Sequence, residues 1–96
     1  MEYRDIANSK IADYEVGSIS IDYANNHIAL NLKSPKGVWD VLQFLNFEEI
    51  TVTRTEPWGA GIYIAGSDLQ YNGNEMVVEI ELNSGDQIRI ITKSVL

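Results

Sequence analysis

The sequence predicts an α+β fold that is mainly β. We expect an antiparallel, strongly curved sheet or partly open barrel in the order β-β-α-β-β-β-β, with one short helix packed on it. Three observations predict it. Two hairpin patterns each place their apolar residues on one shared face. One central stretch has clear helical spacing. No βαβ repeat of the kind that builds a parallel sheet occurs.

The strongest pattern is Met76–Lys93, MVVEIELNSGDQIRIITK. Gly85 suits the left-handed position of a three-residue loop, Asn83-Ser84-Gly85. Counting outward, Leu82 faces Asp86, Glu81 faces Gln87, Ile80 faces Ile88, Glu79 faces Arg89 and Val78 faces Ile90. A two-residue loop would instead set Glu81 against Ile88 and Ile80 against Arg89. That slip buries charge, so the three-residue loop is expected. Val78, Ile80, Ile88 and Ile90 then form the centre of the core.

Val16–Tyr23 and His27–Lys33 form the other hairpin, turning at Asn25-Asn26. Counted outward from a two-residue loop, Tyr23 faces Ile28, Ile21 faces Leu30 and Ile19 faces Leu32. Ser20, Asp22 and Asn31 fall on the opposite face. Agreement between two strands is stronger than the pattern of either.

Ser34-Pro35 reads as a helix start, with a serine cap and proline in the first turn. Val38, Val41, Leu42 and Leu45 recur at helical spacing. These predict a helix over Pro35–Leu45, with Trp39 flanking its apolar stripe. Ile50–Thr55 is rich in β-branched residues and predicts a strand. Glu56–Gly61 breaks it with proline and glycine. Gly61–Ala65 predicts a short strand, extended by Leu69–Tyr71 after a bend at Gly66. Asn72-Gly73 marks the turn into the last hairpin. Met1–Ala12 is weakly patterned: Tyr3, Ile6, Ala7 and Ile11 fit one side of a short helix, and the segment fits a loose leading stretch equally.

The 96 residues fit one domain, 1–96. An apolar fraction of 45% supports a packed core and argues against disorder. There is no cysteine, which rules out disulfides, thiol chemistry and zinc held by sulfur. The first residues, MEYRDIANSK, carry no apolar signal-peptide core, and no apolar run reaches membrane-spanning length. A reducing cytoplasm is the expected home.

Charge is uneven. The net charge is −7, and residues 37–86 hold nine acids against one base, Arg54. Such a field repels phosphate backbones and anionic membranes; it either favours a basic protein partner or serves solubility alone. No nucleic acid or membrane partner is expected.

No cofactor, metal or catalytic constellation is legible, and no enzyme is expected. His27, the single histidine, stands beside a predicted turn with no nucleophile to serve, and reads as an exposed turn residue. Glu79 and Glu81 share a strand face, but Arg89 opposite Glu79 marks a solvated face rather than a chelate. Gly59-Ala60-Gly61 lacks the Lys-Ser/Thr of a phosphate loop. Trp58, framed by proline and glycine, either anchors an interface or folds back to cap the end of the barrel.

The expected function is therefore a small acidic protein-binding module. An immunity- or antitoxin-type inhibitor of a basic partner has this character. Its candidate contact residues are Glu56, Trp58, Tyr63, Asp68, Glu79 and Glu81. Two alternatives are a β-barrel carrier of a small ligand, with tyrosine and tryptophan at its mouth, and a structural subunit of a homo-oligomer paired through sheet edges.

Overall fold

A computed structural model describes all 96 residues. The fold is α+β, mainly β. One short helix, α1 (Tyr3–Ala7), precedes six strands: β1 (Glu15–Asp22), β2 (His27–Lys33), β3 (Trp39–Val52), β4 (Ile64–Asn72), β5 (Glu75–Leu82) and β6 (Gln87–Val95). They form one antiparallel sheet in the order β1-β2-β3-β6-β5-β4. The sheet is not closed into a barrel.

Strand β3 explains the curvature. Its first half pairs with β2, from Trp39–Lys33 to Leu45–His27. Its second half pairs with β6, ending at Val52–Ile88. Between the halves Asn46 has a positive φ of 54°, and a bulge follows between Phe47 and Glu49. A bulge bends a strand and raises its twist. The sheet thus folds into two leaves that share β3.

The expected helix at Pro35–Leu45 is absent. Ser34–Val38 is a hairpin turn instead. The Ser34 Oγ accepts from the Val38 N–H at 3.1 Å, and the Ser34 carbonyl accepts from the Gly37 N–H at 2.8 Å. Proline at the second turn position and glycine at the fourth fit this geometry as well as they fit a helix start. Gly37 adopts a φ of 86°, outside the helical region. The tertiary context then decides. Leu42 and Phe44 alternate into the core, while Val38, placed on the predicted helical stripe, is exposed. The predicted strand at Ile50–Thr55 is the far end of this same β3, which stops at Val52. The predicted strand at Gly61–Ala65 starts only at Ile64 and continues as β4 through Leu69–Tyr71, with a register shift between Ile64 and Gly66 where the bend was expected.

The one helix lies in the weakly patterned segment Met1–Ala12. In α1 the Glu2 N–H donates to Asp5 Oδ2 at 2.9 Å, and Ile6 is fully buried. The segment docks on β4: Ser67 Oγ donates to the Ile6 carbonyl at 2.7 Å, and Ser9 Oγ to the Ser67 carbonyl at 2.9 Å.

The last hairpin has the predicted register. Ile80 pairs with Ile88, Glu79 with Arg89, Val78 with Ile90, and Gly85 has a φ of 88°. In the first hairpin the register differs by two residues. Asp22 pairs with His27, Ile21 with Ile28 and Ile19 with Leu30, so the loop is the four residues Tyr23–Asn26. A two-residue shift keeps every side chain on its predicted face. Ile28, Leu30, Leu32, Leu42, Phe44, Val78, Ile80, Ile88 and Ile90 form the buried centre, with Ile6, Ile11 and Ile64 closing it. Ile21, on the apolar face of the first hairpin, is nonetheless 51% exposed, because β1 is an edge strand.

Candidate functional site

The tip of the β5–β6 hairpin organises the loop that follows β3. Asp86, the residue after the turn, is 1% exposed and aims its carboxylate into that loop. Its Oδ1 accepts from the Thr53 hydroxyl at 3.0 Å, the Thr55 N–H at 2.7 Å and the Thr55 hydroxyl at 3.0 Å. Its Oδ2 accepts from the Glu56 N–H at 2.8 Å and the Ser84 hydroxyl at 3.0 Å. Burial pushes the Asp86 pKa up, but the hydrogen bonds from Thr55, Glu56, Ser84 and Thr53 outweigh it and hold the value at about 2. At neutral pH the group is an anion that clamps Thr53–Glu56 onto the turn.

The clamp delivers Trp58. Its main-chain N–H donates to the Ser84 carbonyl at 2.9 Å, and one edge of the indole lies on Gly85. The rest of the ring faces outward, leaving the residue 79% exposed. Trp58 folds back onto the hairpin tip, yet keeps most of its surface exposed. Glu56 is half-buried and pairs with Arg54 at 3.1 Å. The Tyr63 carbonyl also meets the tip, accepting from the Asn83 N–H at 2.8 Å. Its side chain lines a separate polar hollow with Lys33 and Lys36.

Asp68, Glu79 and Glu81 share the outer face of β4 and β5. The register sets Asp68 directly against Glu79, and Glu81 lies one step nearer the tip, opposite Gly66. Like charges directly opposed across an antiparallel pair destabilise it. The row has one cation, Arg89, whose Nε is 3.9 Å from Glu79 Oε1. Farther along the same face Lys93 bridges Glu48 at 2.9 Å and Glu75 at 3.8 Å. The hydrogen bond from Lys93 holds the Glu48 carboxyl below its usual range, and Glu48 holds the Lys93 ammonium above its own. Glu49 completes a face with six acids, Glu48, Glu49, Asp68, Glu75, Glu79 and Glu81, against Arg89 and Lys93.

The structure thus gathers Glu56 and Trp58 at the hairpin tip and the three acids on the adjoining face. Asp86 is the residue that sequence reasoning passed over. The sign of it was present: two threonines at alternate positions, Thr53 and Thr55, offer hydroxyls to one carboxylate just after a tight turn.

Other candidates stand elsewhere. His27 is half-buried rather than exposed, its Nε2 3.1 Å from Gln43 Oε1, because β3 covers its far side. Trp39 flanks no helix. It opens β3, is 56% exposed, and its ring lies over Gly17 with the Lys33 Nζ 5.9 Å away. No group of three or more His, Asp or Glu side chains comes together in a way that could hold a metal ion. No helix is long and apolar enough to cross a membrane. An apolar cleft of about 360 Å³ does open at the end of the sheet, but aliphatic residues line it, among them Val16, Ile19, Val52 and Ile62, rather than the expected tyrosine and tryptophan.

No family model matches the chain, and no curated protein matches it in sequence. The fold is similar to the crystal structure of an uncharacterized protein from Neisseria gonorrhoeae, with a TM-score of 0.68 and 12% identity, over 88% of this chain and 89% of that one. At that identity the likeness is one of fold.

Proposed function

We propose that the protein is a small acidic binding module that engages a basic protein. The observation that carries this is the opposition of Asp68 and Glu79, with Glu81 diagonal to them. A sheet gains nothing by holding two carboxylates face to face. A lysine or arginine from a partner would relieve the repulsion and gain from the field of the whole face. Trp58 supplies beside it what acids lack, a large apolar contact on a preorganised loop. An inhibitor of the immunity or antitoxin kind, acting in the cytoplasm by covering a basic enzyme's surface, is one form such a module takes.

The test is capture from an extract of the native host. The wild-type protein is expected to retain a basic protein that is released by high salt. The Glu79→Lys/Glu81→Lys variant is expected to lose it. Retention that ignores both salt and the charge reversal overturns the proposal.

A further inference from the structure

The two edges of the sheet are treated differently. The β4 edge is covered by the N-terminal segment through Ile6, Ser9 and Asp13, the last donating its N–H to the Ile64 carbonyl at 2.8 Å. The β1 edge is covered only at its start. There the chain before β4 lies antiparallel to it, bridging Glu15 and Tyr63. The Val16 N–H donates to the Ile62 carbonyl at 2.8 Å, and the Ile64 N–H to the Tyr14 carbonyl at 2.8 Å. Beyond Ile62 this covering strand ends, and Ser18–Asp22 has no neighbour on that side.

Hydrogen-bond parity shows which groups are left open. The Ser34 N–H donates to the Val38 carbonyl across the β2–β3 turn. In an antiparallel ladder the bonded direction alternates, so Leu32, Leu30 and Ile28 bond to β3, and the odd-numbered residues of β2 bond to β1. Their partners are Ser18, Ser20 and Asp22. The main-chain N–H and C=O groups of Ile19 and Ile21 therefore point off the edge. The same parity applies on β3. The Thr53 N–H donates to the Gln87 carbonyl, so the main-chain groups of Val52 face away from β6.

The apolar cleft opens beside these unpaired groups, with Val16–Ile19 on one bank and Val52–Arg54 on the other. Val52 is 49% exposed at its lip. Natural edges are commonly blunted by lysine, proline or a covering segment. From Ser18 on, β1 has none of these; its single bulge, between Val16 and Ser18, lies at the covered start.

We infer that the free edge of β1 is a strand-addition site, taking an extended segment of a partner protein that alternates aliphatic and basic residues. The main chain of the segment pairs with Ile19 and Ile21, and its aliphatic side chains enter the cleft. Charge selects the occupant. Arg54, the one base lining the cleft, is already neutralised by Glu56, and the chain as a whole carries −7. Two copies of the chain repel each other, whereas a basic segment is drawn in. The inference rests on the proposed preference for basic partners, but places a second contact away from the Asp68–Glu79 face.

The experiment uses a blocked peptide of about eight residues, alternating valine and lysine, and amide hydrogen exchange of the full chain. Saturating peptide is expected to slow exchange at Ile19 and Ile21. Ile21→Pro removes one outward N–H without touching the ladder to β2. That variant is expected to keep its melting temperature within a few degrees and to bind about tenfold or more weakly. A valine–glutamate peptide is expected to bind as weakly. Ile21→Val, which keeps the N–H, is expected to bind as wild type. The inference is overturned if millimolar peptide leaves those amides unchanged, or if folded Ile21→Pro binds normally. It is equally overturned if the two amides are protected by dimerisation of the free protein. The assay needs no native partner, and Glu79→Lys/Glu81→Lys, which lies away from the β1 edge, is expected to weaken peptide binding far less than Ile21→Pro does. Failure of the capture experiment and failure of this one are therefore separate results.

Discussion

Trp58 lies directly on Gly85: a methyl group added at that glycine would overlap the Cδ1 and Nε1 atoms of the indole. Gly85 is thus needed twice, for its φ of 88° and for the ring above it. Gly85→Ala is expected to cost about 1–2 kcal/mol from the backbone conformation alone, and more because the indole must move. In a Trp58→Ala background the overlap with the indole is gone, and the backbone cost and the approach to Pro57 Cγ remain. A double-mutant cycle by denaturant unfolding checks this. Equal losses in the two backgrounds would mean that the ring does not rest on the turn.

The buried face of the hairpin is the next test. Ile80 and Ile88 are directly opposed and fully buried. Ile80→Ala is expected to cost about 2–5 kcal/mol and Ile80→Val about 0.5–1.5 kcal/mol. A loss below roughly 0.5 kcal/mol for the alanine variant would contradict the register of the hairpin.

That register was legible in the sequence because two strands and one glycine had to agree at once. Only one loop length keeps Glu79 against Arg89 and Ile80 against Ile88. The region Pro35–Leu45 offered no such cross-check. Ser-Pro with a glycine two residues on serves a helix start or a hairpin turn, and V-L-Q-F-L satisfies both periods over a short window. The choice was made by long-range pairing of β3 with both β2 and β6, which no local pattern reports. The same holds for the loop Tyr23–Asn26, where Asn25-Asn26 fits a two-residue turn as well as the four-residue one observed. At the candidate site the acids and Trp58 could be named from sequence. The opposition of Asp68 and Glu79 could not, since the pairing of β4 with β5 was not predicted. The clamp at Asp86 was missed because its five donors come from two stretches, Thr53–Glu56 and Ser84, and only the fold brings the first of them to the turn.

Asp86 makes a prediction about acid stability. Its folded pKa is depressed, from an ordinary 3.8 to about 2. The stabilisation it brings is therefore complete above pH 3.8 and is lost as the pH falls toward about 2. Asp86→Asn removes that contribution at neutral pH. The gap in melting temperature between wild type and Asp86→Asn is expected to be constant from pH 7 to about 5 and to shrink below the ordinary value of the carboxyl. A gap that stays constant down to pH 2 would show that the carboxylate charge does not hold the loop.

Binding kinetics separate the roles of the hairpin tip and the acidic face once a partner is in hand. Trp58→Ala is expected mainly to raise the dissociation rate, by about 2 kcal/mol if the ring is an anchor. Charge reversal at Glu79 and Glu81 is expected mainly to slow association and flatten its salt dependence. If Trp58→Ala lowers the melting temperature and leaves both rate constants alone, the indole is a cover for the hairpin tip and not a contact.

The opposed carboxylates allow a sharper test, because fold and function pull in opposite directions there. Asp68 faces Glu79 across β4 and β5, and its own Oδ2 accepts a hydrogen bond from Gln70 Nε2 at 3.0 Å. Asparagine keeps an oxygen for that bond and removes one charge. In the free protein Asp68→Asn is expected to stabilise, by about 0.2–1 kcal/mol, because the like-charge pair is relieved. Association with a basic partner is expected to slow, because one charge of the attracting face is gone. Raising the salt concentration should shrink both effects together, since both arise from the same exposed charges. Glu49→Gln provides the contrast: it sits on the same face opposite Ile91, without an acid across from it. It is expected to slow association without stabilising the sheet. Should Asp68→Asn destabilise the protein, or stabilise it while leaving association unchanged, the row is a solvated surface and not a recognition face.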